Sequence, residues 1–67
     1  MKWEHIANQW QQFSHQAKKK WSLLTDEALV QINGSRNNLA TIIQQQYFVS
    51  KKEAHDQIDA WIDELNT

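Results

Sequence analysis

The segment KKKWSLLTDEA, residues 18–28, decides how this chain folds, because a run of lysines meets a tryptophan and then two acids. It reads either as a basic and aromatic grip for nucleic acid or as the junction of two helices. Thr25-Asp26-Glu27 favours the junction: a threonine hydroxyl caps a helix start, and acids suit the positive end of the helix dipole. Lys18, Lys19 and Lys20 suit the carbonyl end of a preceding helix for the same reason. Upstream of them Trp3, Ile6, Trp10, Phe13, Ala17, Trp21 and Leu24 recur at gaps of three or four. That spacing predicts one amphipathic helix over about residues 2–23, with the lysines on the arc that faces water.

Downstream, Ala28, Leu29 and Ile32 predict a short second helix over residues 26–33. Asn33-Gly34 closes it, with glycine supplying the left-handed conformation that follows a helix. Ser35 caps a third helix, 36–48, which places Leu39, Ile42, Ile43 and Tyr47 on one face. Ser50 and Glu53 match a capping box, in which the serine accepts from the Glu53 amide and the glutamate reaches back. The fourth helix, 51–65, carries Ala54, Ile58, Trp61, Ile62 and Leu65 at helical spacing. With one glycine and no proline, little else interrupts the chain, and connections of a few residues fold the helices into hairpins. The expectation is an all-α, four-helix domain spanning residues 1–67. Its core is predicted to comprise Trp10, Phe13, Ala17, Trp21, Leu24, Leu29, Ile32, Leu39, Ile43, Tyr47, Ile58, Trp61 and Ile62.

Sixty-seven residues make one domain, and a core of that size supplies a net stability of about 3–5 kcal/mol. The chain has no cysteine, so neither disulfides nor thiolate chemistry are available. Four tryptophans, each able to bury on the order of 150–250 Å², are the natural staples. The formal net charge is −1, and the Lys and Arg residues are scattered over the chain. Neither a polyanionic nor a polycationic partner is implied. No apolar run is long enough for a signal peptide or a membrane span, so a soluble, cytoplasmic protein is expected.

Trp10, Phe13, Ala17, Lys20 and Trp21 lead into Leu24-Thr25-Asp26; then come Gly34, Arg36, Leu39, Ile43 and Tyr47, and finally Lys51, Ala54 and Trp61. In order and spacing this series resembles the CsbD-like family of small bacterial stress-response proteins. The likeness covers about residues 8–61, and its most distinctive piece is W-x-x-L-T-D followed by the glycine and arginine of N-G-S-R. The chain departs from the family at Ser14-His15, where a glycine and a lysine are usual, and at Phe48, which replaces the common glycine after the tyrosine. The resemblance implies two helical hairpins crossing steeply and accumulation under general stress. It brings no catalytic residues with it.

The residues themselves point the same way. His5, His15 and His55 share no helical turn, and His55 with Asp59 offers two ligands, fewer than structural zinc requires. An i,i+4 surface contact is the simpler reading of that pair. The serines lack a nucleophile-elbow context, Asp26-Glu27 and Asp63-Glu64 are adjacent pairs that diverge by about 100° on a helix, and one glycine makes no phosphate loop. No catalytic, cofactor-binding or metal site is therefore expected, and the chain is read as not an enzyme. Two binding readings remain. Trp3 at the start of the first helix, with Phe48 and Val49 in the third loop, forms a partner-contact or self-association surface if those side chains stay exposed together; otherwise Trp3 caps the core and Phe48 plugs a loop. The alternative is a small nucleic-acid-binding protein reading through Arg36, Asn37, Asn38 and the glutamines, against which the balanced charge argues. Fourteen Asn and Gln residues and a mean hydropathy of −0.78 describe a heavily hydrated exterior that suits a soluble protectant or weak protein-binding module.

Overall fold

The computed structural model describes residues 3–65, which are helical apart from Gln9 and the segments 21–25, 33–35 and 48–50. The helices are α1 (Trp3–Asn8), α2 (Trp10–Lys20), α3 (Asp26–Ile32), α4 (Arg36–Tyr47) and α5 (Lys51–Leu65). The last three match the predicted helices 26–33, 36–48 and 51–65 to within a residue. Their starts are fixed by short side chains that accept from the third amide ahead: Thr25 Oγ1 from Ala28 at 3.1 Å, Ser35 Oγ from Asn38 at 3.3 Å, and Ser50 Oγ from Glu53 at 3.1 Å. Only the serine half of the predicted capping box forms, since the Glu53 carboxylate makes no hydrogen bond back to Ser50.

The predicted helix over residues 2–23 appears as two helices. Its predicted start at Lys2 lies outside the described residues. Gln9, at φ −119° and ψ 36°, interrupts the spiral: its N–H turns back three residues to the Ile6 carbonyl at 3.2 Å, and its own carbonyl accepts from Gln12 and Phe13. No glycine or proline marks the place, because the cause is tertiary. The break lets α1 lie on the turn between α3 and α4, where Trp3 Nε1 donates to the Gly34 carbonyl at 2.9 Å and Ala7 packs beneath Gly34. At the other end α2 stops at Lys20, not near residue 23. Trp21 still bonds the Ala17 carbonyl, but Leu24 N–H closes a tight turn onto the Trp21 carbonyl at 3.0 Å. That turn carries both Trp21 and Leu24 into the core at 2 % exposure.

The α3–α4 turn uses two left-handed residues where glycine alone was expected. Asn33 takes φ 45°, ψ 40°, and Gly34 follows at φ 82°. Gly34 is required for a second reason: a Cβ there would stand 3.1 Å from the Ala7 carbonyl oxygen. The same residue thus ends one helix and admits another.

The predicted core side chains are all buried except Tyr47, which is half-buried, and Ile6, Ala40 and Ala54 join them. The Tyr47 hydroxyl sits at the surface and accepts from Leu23 N–H at 3.1 Å. The four tryptophans form one continuous chain of rings: Trp10 to Trp3 at 6.0 Å, Trp3 to Trp61 at 6.4 Å, and Trp61 edge-on to Trp21 at 5.3 Å. Indole N–H groups carry a polar demand into the core, and it is met: Trp10 donates to the Leu29 carbonyl and Trp21 to Gln57 Oε1, both at 2.9 Å. Among the described residues no buried side-chain polar atom lacks a partner. α4 packs along α5 and against α3, and the ring chain ties α1 and α2 to α5.

Candidate contact surface at the Phe48 loop

The loop between α4 and α5 contains the side chains least suited to their local backbone. Phe48 caps α4 in the left-handed region, φ 56° and ψ 44°, with its N–H on the Gln44 carbonyl at 3.0 Å. That position normally falls to glycine, and another residue there costs about 1–2 kcal/mol. No packing offsets the cost, because Phe48 is 93 % exposed. Next to it Val49 is half-buried against the core and anchors the loop. Lys51 and Lys52 then occupy the first turn of α5, the end of a helix dipole that disfavours cations. Lys52 is drawn to Asp56, Nζ to Oδ2 2.9 Å, which holds its ammonium above the usual lysine range. Lys51 has no ion pair among the described residues.

Of the three residues named from sequence, Phe48 and Val49 adjoin in one loop and Trp3 stands apart from them. Trp3 is half-buried, hydrogen-bonded at Gly34 and stacked among the tryptophans, so it closes the core at the start of α4. Phe48 stands at the other end of that helix, whose length is about 18 Å. Phe48 therefore does not plug its loop, and it forms no patch with Trp3. Sequence reasoning passed over two further exposed apolar side chains, Leu23 at 51 % and Val30 at 75 %. Leu23 is brought beside Tyr47 by the turn that ends α2. Val30 lies out of phase with Leu29 and Ile32, a departure from the stripe that was visible in the sequence. It walls a shallow groove between α2 and α3, about 480 Å³, floored by Trp10 and Leu29 and edged by Ser14, His15 and Asp26.

Three ion pairs hold helices together. Lys18 Nζ bonds Asp26 Oδ1 at 2.8 Å across the α2–α3 junction, and this ammonium holds the Asp26 carboxyl below the usual carboxylate range. Lys20 reaches Glu64 on α5 at 3.0 Å. Arg36 donates from Nε to His55 Nδ1 at 3.2 Å and from Nη2 to Asp59 Oδ1 at 2.6 Å. His55 and Asp59 are thus joined through the arginine of α4, where sequence reasoning paired them with each other. Asn38 is likewise engaged, donating to the Gln31 carbonyl at 3.3 Å. The helix that was to read base edges has its one cation tied down. Among the described residues no three His, Cys, Asp or Glu side chains gather to hold a metal, and no helix is long and apolar enough to cross a membrane.

No family model matches the chain, and no solved structure matches it. Curated bacterial proteins do. The chain is 33% identical over 58 residues to UPF0337 protein YjbJ of Escherichia coli O6:H1, covering 87% of this chain and 84% of that protein. It is 35% identical over 60 residues to UPF0337 protein ECA0631 of Pectobacterium atrosepticum, covering 90% and 87%. With UPF0337 protein RPA4217 of Rhodopseudomonas palustris the identity is 34% over 65 residues, or 97% of this chain and 98% of the relative. Such likeness along nearly the whole length of several proteins means that the chain belongs to the UPF0337 family.

Proposed function

We propose that this protein is a non-enzymatic, cytoplasmic stress-response protein of the CsbD-like type, a hydrated protectant that makes weak contacts with other proteins through its Phe48 loop. The observation that carries the reading is Phe48 itself, 93 % exposed in a backbone conformation that glycine would adopt without strain. A residue that breaks a local rule without a packing gain is grounds for a functional reading. The polar exterior supports the protectant role, since fourteen Asn and Gln residues keep the remaining surface wet. The test is the heat-induced aggregation of a labile enzyme in the presence of this protein or of an inert protein of equal mass. The wild type is expected to slow aggregation and Phe48→Ser to lose most of that effect. Equal behaviour of the wild type and the inert protein would refute the role.

A further inference from the structure

We propose that a partner fitted by the Phe48 loop is a second copy of this chain, whose α2–α3 groove receives the phenyl ring head to tail. The inference rests on the contact role given to Phe48 and names one occupant for it. Each half of the contact is unfilled within a single molecule. Phe48 projects almost wholly into solvent, while the groove floored by Trp10 and Leu29 stays open, with its Val30 wall three-quarters exposed. The groove, about 480 Å³, is ample for one aromatic ring.

One charge on each half is left for a neighbour. Lys51 and Lys52 follow Phe48 on α5, with Lys52 already paired to Asp56, whereas Asp26 and Glu27 precede Val30 by one turn of α3, with Asp26 already paired to Lys18. Lys51 and Glu27 are exposed and have no ion pair among the described residues, so both are available to an opposite charge on a neighbour. A symmetric dimer through Phe48 would instead bring the unpaired Lys51 of each copy together and meet repulsion. Opposite patches on one surface make a heterologous contact, which repeats from copy to copy and need not close. One ring and one valine bury a few hundred Å², far below the roughly 1,200 Å² of a stable interface. The association is therefore weak, reversible and strengthened at low salt.

Sedimentation velocity over a wide concentration range at low salt, with the wild type, Phe48→Ser and Val30→Asp, tests this directly. Both substituted side chains are exposed, so circular dichroism should show unchanged helix content. Wild-type protein is expected to sediment faster as concentration rises, and each variant alone to remain monomeric. The equimolar mixture is the distinctive arm. Phe48→Ser keeps an intact groove and Val30→Asp an intact ring, so together they should form a dimer and nothing larger. A wild type that is monomeric throughout, a Val30→Asp variant that associates like the wild type, or a mixture that stays monomeric would each overturn the proposal. A monomeric wild type that still protects a labile enzyme in a Phe48-dependent way would overturn only the second copy and leave the contact role standing.

Discussion

Phe48 and Gly34 are the two positions where one side chain, or its lack, decides the local outcome. Both occupy left-handed backbone, yet only Gly34 is matched to it. Alanine at position 34 would meet strain from its φ of 82° together with a 3.1 Å approach to the Ala7 carbonyl. Gly34→Ala should therefore destabilise the fold by about 1–3 kcal/mol in urea unfolding. Trp3 tests the adjoining contact. Trp3→Phe keeps much of the ring and removes the 2.9 Å bond to Gly34, so a loss of about 1 kcal/mol is expected, with faster amide exchange along α1. The glycine was legible in the sequence as the end of a helix. Its role as the seat of α1 was not, because that role depends on Ala7, 27 positions away.

The helices were read well where their ends are chemical and poorly where they are tertiary. Thr25, Ser35 and Ser50 each cap as their residue types imply, and α3, α4 and α5 start where those caps place them. The gap at Gln9 has no such marker. A stripe spaced by three and four is compatible with a straight helix and with a broken one, and contact with Gly34 selects the broken one. The sign change at KKKWSLLTDEA was legible as a junction, and the Lys18–Asp26 bond is its physical form. Because Lys18 lowers the Asp26 pKa in the fold, the stability this pair contributes is present above the pH at which an unfolded aspartate titrates. It is lost as pH falls through the lowered value. Carbon-detected NMR titration should find Asp26 protonating below the ordinary aspartate range, and Lys18→Met should move that midpoint upward.

Over the whole molecule, the chain of four indoles is what a cysteine-free core of this size uses in place of covalent staples. Trp61 joins two other tryptophans at 2 % exposure. Trp61→Ala should cost about 3–5 kcal/mol, comparable to the stability of the entire domain, and abolish cooperative thermal melting. The tryptophan spacing made this core readable from the sequence. The proposed contact surface was readable only in part: Phe48 stood out as a departure from the usual glycine, but its 93 % exposure was not legible, because it accompanies an αL cap that the sequence does not mark. The most direct measurement is urea unfolding of Phe48→Gly. If the phenyl ring is surplus to folding, the variant unfolds at higher urea with an unchanged m-value, a gain of up to about 1 kcal/mol once the greater freedom of glycine in the unfolded chain is set against the relieved strain. A lower midpoint would mean that Phe48 holds the fold together, and would contradict its assignment to a contact surface.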